Sequence, residues 1–284
     1  NWQYQHTAII GFWNIAGLKR AIETGNGLTI LDKLDIICLQ ETWSLSPIFL
    51  PGYLEVHKPA LKKNIFGRPA GGLSIFIKSS LQLKTIMTLS ISEAIQALLV
   101  EGLEINTFGS GLLLLNIYLN THGSNKLEKT QALIEDLETF IHKYSSYKIM
   151  LGGDFNLRHL GGTTGKNQVT SRAVRAINDF LEAYDLKSVE VQATANNPLK
   201  TYPATFGKHS KIDYVFSNLS TNLDLDSFSI QKNTVSDHAL LSLTVNTRVK
   251  KNAELHTINA STGAESTCLL RRLKWDQKCP EKFL

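Results

Sequence analysis

The sequence predicts an α/β sandwich, with mixed sheets covered by helices. Three observations carry this. Short apolar runs rich in Ile, Leu and Val recur along the chain, bounded by Gly, Pro and Asn. Two stretches, 127–144 and 172–184, switch to a helical period. The chain has 284 residues, 43% of them hydrophobic, enough for one large core or two small ones.

The elements follow in order. "HTAIIGFWN" (6–14) reads as a strand, and 21–33 as a short helix. "LDIICLQE" (34–41) is a buried strand that ends in a carboxylate. Residues 42–70 carry Pro47, Pro51, Pro59 and Pro69 and read as a long loop. "GGLSIFIK" (71–78), "LKTIMTLS" (83–90), "IQALLVEGLEI" (95–105) and "GLLLLNIYLN" (111–120) read as successive, short-linked antiparallel strands. In 127–144, Leu133, Leu137, Phe140, Ile141 and Tyr144 share one helix face. "YKIMLGGD" (147–154) is the next strand. In 172–184, Val174, Ile177, Leu181 and Tyr184 point inward. "KIDYVFSN" (211–218) and "HALLSLTV" (238–245) are late strands. Residues 248–284 lose this periodicity and read as a basic linker or tail after a 1–247 domain.

The net charge is +5, but the tail alone holds eight Lys/Arg against four Asp/Glu, which leaves +1 for the remainder. Overall basicity is therefore weak evidence for nucleic acid. Local asymmetry is sharper. Residues 155–178 contain no acid but hold Arg158, Lys166, Arg172 and Arg175. Residues 191–212 again contain none, and hold Lys200, Lys208, His209 and Lys211. Either loop alone is most simply a solvated basic surface. Cys38 reads as a buried small residue, while Cys268 and Cys279 lie in the polar tail without CxxC spacing. This pattern predicts a reducing compartment, nucleus or cytoplasm, and no zinc site. No apolar run is long enough to span a membrane, and "NWQYQHTAII" lacks the pattern of a signal peptide, so neither a membrane protein nor a secreted one is expected.

Polar groups recur at the ends of apolar strands. These are Asn14, Glu41, Tyr118 with Asn120, Asp154 with Asn156, Asp213, and Asp237 with His238. Each alone is most simply a turn former or cap. Asp213 fits that reading least, because a carboxylate inside an apolar strand needs a partner. Taken together they form a chemical set. Carboxylates with Asn suit Mg²⁺, a hard ion that takes oxygen ligands. A His paired with an Asp is an oriented base, and Asn and Tyr are neutral donors for phosphate. These are the parts needed to cleave a phosphodiester with water. "GRPAGG" (67–72) is not a phosphate loop, since it lacks GxxxxGK[ST] and leads into a strand.

Six ordered segments also carry a resemblance: "NIAGL" (14–18), "LQETW" (39–43), "NIYLN" (116–120), "GGDFN" (152–156), "KIDYV" (211–215) and "SDHALL" (236–241). They resemble the motifs of the endonuclease/exonuclease/phosphatase superfamily, which includes DNase I and the abasic-site endonucleases. Within it, "LQETW", "GRPAGGLSIFIK" (67–78), "GGDFN" and "SKIDYV" (210–215) resemble the endonuclease domain of non-LTR retrotransposons. "RRLKWDQKCPEKFL" (271–284) is similar to the connector that precedes a reverse transcriptase.

The resemblance implies a four-layered α/β/β/α sandwich with two mainly antiparallel mixed sheets. It implies Glu41 as the principal Mg²⁺ ligand (Mn²⁺ as possible substitute), with Asn14 beside it and Asp237 as the acid next to the metal. Asp154 orients or deprotonates the attacking water, Asn156 and Tyr118 touch the scissile phosphate, and His238, oriented by Asp213, stabilises the pentacoordinate phosphate. Ser236 positions the last turn. Arg158, Lys166, Arg172, Lys200, Lys208 and Lys211 would hold the backbone of duplex DNA. The segment 194–210 corresponds to a hairpin that probes the minor groove. The function implied is Mg²⁺-dependent nicking of one strand of duplex DNA to leave a 3′-hydroxyl, as in target-primed retrotransposition. A superfamily phosphatase, an abasic-site endonuclease and a catalytically silent DNA-binding relative are the alternatives. "KIDYV" lacks the tryptophan expected of abasic-site enzymes, and Asn120 stands where many relatives have proline. The two glycines of "GGDFN" are expected to permit a close approach of backbone and substrate.

Overall fold

The computed structural model describes residues 5–62, 66–81, 85–92, 94–101, 104–105, 111–120, 125–161, 171–190, 202–203, 209–219 and 225–248. The first half runs β1 (Gln5–Asn14), α1 (Leu18–Glu23), α2 (Asn26–Leu31), β2 (Ile36–Gln40), β3 (Tyr53–Lys58), β4 (Leu73–Lys78), β5 (Thr85–Ser92), β6 (Ile95–Glu101), β7 (Glu104–Ile105) and β8 (Leu112–Tyr118). The second runs α3 (Lys126–Lys143), β9 (Lys148–Asp154), α4 (Arg172–Ala183), β10 (Lys187–Ser188), β11 (Tyr202–Pro203), β12 (His209–Ser210), β13 (Asp213–Ser217), β14 (Leu225–Gln231) and β15 (Leu240–Arg248).

Two sheets result. One has the order β14-β15-β1-β2-β4-β3, with β7 also paired to β15. The other has the order β10-β13-β9-β8-β6-β5. Pairing is antiparallel except for β1 with β2 and β8 with β9. Three apolar cores define the layers. Leu18, Ala21 and Leu31 of the short helices pack on Trp13, Ile37, Leu39 and Phe76 of the first sheet. Ile10, Phe12, Cys38 and Ile75 meet Leu98, Leu112, Leu114 and Met150 between the sheets. Leu133, Leu137, Ile177 and Leu181 of α3 and α4 cover Leu113, Leu115, Ile149 and Leu151 on the far side. The architecture is therefore helix, sheet, sheet, helix, as expected. Each fully buried aromatic or aliphatic side chain here is worth about 1.5–3 kcal/mol relative to exposure.

Some boundaries differ from the pattern reading. The helix expected over 21–33 is two helices, because Gly25 takes a left-handed φ of 73° between them. The proline-rich stretch 42–70 hides β3, which pairs antiparallel with β4 along its length. The four strands expected over 71–120 do not form one meander. β4 belongs to the first sheet, while β5, β6 and β8 are antiparallel neighbours in the second. The 95–105 run divides, and β7 crosses to pair with β15. The edge strand β14, in which Phe228 and Ile230 alternate with Ser227, Ser229 and Gln231, is a further strand that the pattern reading passed over. Within 194–210, β11 and β12 pair as Tyr202 with Ser210 and Pro203 with His209. The remainder of that segment, and residues 249–284 of the expected tail with Cys268 and Cys279, lie outside the described residues.

The glycines of "GGDFN" serve packing. A Cβ on Gly152 would stand 2.8 Å from the Phe12 ring, and one on Gly153 (φ 133°) would stand 2.1 Å from the Ile117 carbonyl oxygen. The close approach expected there is made by the protein's own core, which lets the two sheets meet directly behind Asp154.

Candidate active site

The strand alternation that builds the inter-sheet core also builds the site. Successive side chains of a strand point to opposite faces. Along β1, Ala8, Ile10 and Phe12 face the second sheet, and the next residue in that row is Asn14. Along β9, Met150 and Gly152 are followed by Asp154. On β13, Val215 shares a row with Asp213. On β8, Leu112 and Leu114 lead to Asn116 and Tyr118. Register then brings the polar ends together, for Asp154 is paired with both Asp213 and Tyr118 across neighbouring strands. The inter-sheet core thus turns polar at one edge of the sandwich.

The buried amides behind this edge fix its shape. Gln40 Nε2 donates to Asn116 Oδ1 (2.6 Å) and to the Cys38 carbonyl (3.0 Å). Asn116 Nδ2 donates to the Leu39 carbonyl (3.0 Å), and Gln96 Nε2 to the Val56 carbonyl (2.6 Å). These bonds tie β2 and β3 of one sheet to β6 and β8 of the other. Sequence reasoning overlooked Gln40, Gln96 and Asn116, although an amide in the middle of an apolar strand is a signal in itself.

His238 Nδ1 bonds Asp213 at 2.9 and 3.0 Å to the two oxygens. That contact fixes the ring, and Nε2 stands 4.0 Å from Asp154 Oδ2. Burial works against a charge on His238, but Asp213, Asp154 and Asp237 outweigh it and lift the imidazole from 6.5 to about 9. Asp154 is 1% exposed, and burial, then the charge of Asp213, pushes its carboxyl far above the usual range, to about 8. Oxygens of Asp154 and Asp213 and a ring nitrogen of His238 lie within 4.8 Å of one another, a group that could hold a metal ion. The direct Asp213–His238 bond makes proton handling the better description of this trio. Ser236, as expected, positions the turn: its Oγ donates to the Asn14 carbonyl (2.6 Å) and accepts from the His238 N–H (3.1 Å). Asp237 is exposed and makes no hydrogen bond among the described residues.

Asn14 stands between two carboxylates. Its Nδ2 donates to Glu41 Oε1 (3.2 Å) and to Asp154 Oδ2 (3.0 Å), while Oδ1 accepts from the Ala16 N–H (3.2 Å). Glu41 leaves β2 at a φ of 50°, and its Oε2 accepts from Trp43 Nε1 at 3.1 Å. Burial, then the charge of Glu41, holds the Tyr118 hydroxyl well above its usual range, so it stays a neutral donor. Asn156, also at a φ of 50°, bonds Asp154 through its backbone N–H (2.8 Å) and its Nδ2 (3.2 Å). Asn14, Glu41, Tyr118, Asp154, Asn156, Asp213 and His238 thus form one connected set from both sheets.

The basic rim is only partly placed. Arg158 and Arg172 are exposed, whereas Lys166, Lys200 and Lys208 lie outside the described residues. Lys211 departs from expectation. Its ammonium turns inward to pair with the buried Glu190 and lies 4.8 Å from the Tyr214 ring centroid. Burial draws its pKa down to about 8. It braces β13 rather than standing free as a rim charge.

Comparison with known proteins places this arrangement. A family model described as Endonuclease/Exonuclease/phosphatase family matches residues 11–238. The chain belongs to that family. Solved structures of the same fold include the AP endonuclease LMAP from Leishmania major, at 16% identity and a TM-score of 0.66, covering 84% of this chain and 88% of that one. The Xenopus laevis APE2 catalytic domain has 17% identity and a TM-score of 0.63, covering 86% and 94%. The endonuclease domain of TRAS1, a telomere-specific non-LTR retrotransposon, has 16% identity and a TM-score of 0.57, covering 86% and 100%. No curated protein matches. The members of this family are phosphodiesterases and nucleases, which supports an enzyme.

Proposed function

We propose that this family member is a Mg²⁺-dependent DNA endonuclease that nicks one strand of a duplex and leaves a 3′-hydroxyl. The observation that carries the reading is the convergence, at one edge, of a carboxylate pair bridged by Asn14 and an Asp-oriented histidine. The residues fit a hard divalent cation. Glu41 Oε1 and Asp154 Oδ2 both lie within 3.2 Å of one amide nitrogen, so two carboxylate oxygens face one small region. Glu41, with Asn14 alongside, would hold Mg²⁺, and Mn²⁺ could replace it. When bound, the metal supplies Lewis-acid stabilisation of the phosphate's developing charge.

The chain's own groups do the remainder. Asp154 receives the proton of the attacking water or orients that water, a role that requires its ionised form. His238, kept charged by Asp213, faces the phosphate with Nε2–H and offsets negative charge in the transition state. Asn156 and Tyr118 donate to the non-bridging oxygens. Asp237 adds negative charge on the open side. Arg158 and Arg172, with Lys166, Lys200 and Lys208, track the DNA backbone.

The likeness to the TRAS1 domain and the connector-like 271–284 segment support a role in target-primed retrotransposition, with a reverse transcriptase in the parent protein. The thiol pattern supports work in the nucleus or cytoplasm. The test is supercoiled plasmid nicking in Mg²⁺, with end mapping. Wild type should nick and leave 3′-hydroxyls, and Glu41→Ala should lower the rate by orders of magnitude. Equal nicking by both would refute the reading. Release of phosphate without nicking would point to a phosphatase, and cleavage confined to abasic sites to a repair enzyme.

A further inference from the structure

Glu41 is followed by a segment whose contacts reach beyond the catalytic set. Thr42 and Trp43 donate their backbone N–H groups to the carbonyls of Gly72 (3.2 Å) and Gly71 (3.0 Å). The "GRPAGG" segment is therefore strapped directly to the metal-ligand loop. Trp43 takes a φ of 53°, which turns its indole back so that Nε1 reaches Glu41 Oε2. One side of the indole is closed by Gly17, where a Cβ would stand 2.7 Å from Trp43 Cε3. Arg68 covers the ring itself, with Cζ 3.7 Å from the centroid. Arg68 is exposed, and its charge is felt by the Tyr118 hydroxyl, so it stands on the open side of the catalytic edge.

A guanidinium stacked on an aromatic face uses its plane, and its five N–H donors stay directed outward around the rim. Among the described residues no hydrogen bond or ion pair engages those donors. The indole prepays the ordering of a long side chain, and the donors suit the paired oxygens of a phosphate.

We propose that Arg68, seated on Trp43, binds a backbone phosphate of the substrate beside the Glu41 end of the site. Trp43 is then a positioning residue twice over. Its N–H holds one oxygen of Glu41 and its ring places Arg68. The inference rests on the nucleic-acid reading above, and it adds a cation that lies in neither acid-free loop.

The test is fluorescence anisotropy of a short labelled duplex with the full chain, without divalent metal, across a KCl series. Arg68→Ala should bind about tenfold more weakly and lower the slope of log K against log salt by about 1, the loss of one phosphate contact. Arg68→Lys should keep the slope, since the charge remains. Trp43→Ala should lose the same unit of slope, and the double variant no more than either single one. Thermal melts of each variant confirm folding, and Arg68→Ala, at an exposed site, keeps the test open if Trp43→Ala unfolds. An unchanged slope in Arg68→Ala overturns the proposal, as does a wild type that does not bind DNA. Additive losses overturn the claim that the ring places the guanidinium. Nicking is scored separately. Binding with the expected slope but no nicking removes the endonuclease reading and leaves the Arg68 contact standing.

Discussion

His57 and His238 each sit beside a carboxylate, 3.3 Å from Glu55 and 2.9 Å from Asp213. Both pairs are largely buried. Their surroundings separate them. His57, Glu55 and Ser74 lie on the adjacent strands β3 and β4, where His57 is the register partner of Ser74. Glu55 is satisfied locally, by Ser74 Oγ (2.8 Å) and the Ile48 N–H (2.6 Å), and His57 Nε2 is buried with no partner among the described residues. His238 instead meets groups from both sheets, and its second nitrogen faces Asp154 and, through it, Asn14 and Glu41. A histidine–carboxylate pair is thus not a site in itself. A site needs a second reactive group opposite the other ring nitrogen, and for His238 the junction of two sheets supplies it in Asp154.

The largest expected effect tests this contrast directly. His238→Ala should lower nicking by about 10²–10⁴-fold, the usual worth of a positioned acid–base group. His57→Ala should change the rate by no more than about twofold, the scale of a substitution that leaves the catalytic groups untouched. Single-turnover kinetics on plasmid decides it, and comparable losses at the two positions would erase the distinction.

The next effect concerns protons. His238 is raised to about 9, so its charge contributes stability that is fully present below 6.5 and lost as pH rises through 9. Asp154 is raised to about 8, so ionising it costs stability increasingly as pH climbs from 3.8 to 8. Both signs agree. Metal-free protein should melt at lower temperature as pH rises from 6.5 toward 9, and His238→Ala should flatten the slope. A divalent cation held at Glu41 beside Asp154, as proposed, would favour the ionised carboxylate, so metal affinity should rise by up to about tenfold per pH unit below 8. Calorimetric titration of Mn²⁺ at several pH values measures this, and a pH-independent affinity would contradict it. The His57 pair should leave that dependence intact.

A smaller effect belongs to the local pair. Ser74→Ala removes a donor to Glu55 and should cost about 1 kcal/mol of stability with nicking preserved. Urea unfolding beside a nicking assay reads both. Lost activity without lost stability would make the β3–β4 cluster part of the site after all.

Much of the site was legible along the chain because strands end where their alternation meets the sheet edge. Asn14, Glu41, Tyr118, Asp154, Asn156, Asp213 and His238 each precede, follow or interrupt an apolar run, and the structure brings all seven together. The helical faces of α3 and α4 were equally plain, since a 3.6-residue period survives without knowledge of neighbours. Three things were not legible. β3 lacked a clear pattern, because an edge strand buries one face incompletely. Lys211 looked like a rim charge, since nothing local announces that Glu190 is its partner. Trp43 and Arg68 were separate letters until the Gly71–Gly72 strap brought them into contact.

The sequence by itself determined which side chains carry chemistry and the order in which strands would present them, because residue type and strand period are local properties. Only the tertiary structure decided which of these groups meet. Asp154 acquires its raised pKa from burial and from Asp213 on the neighbouring strand. His238 acquires its orientation from a residue 25 positions earlier in the chain. Glu41 acquires a fixed oxygen from an indole turned back at a left-handed φ. The first two depend on contacts between segments far apart in the chain, set by sheet register and packing, and the third on a turn that the Gly71–Gly72 strap holds in place.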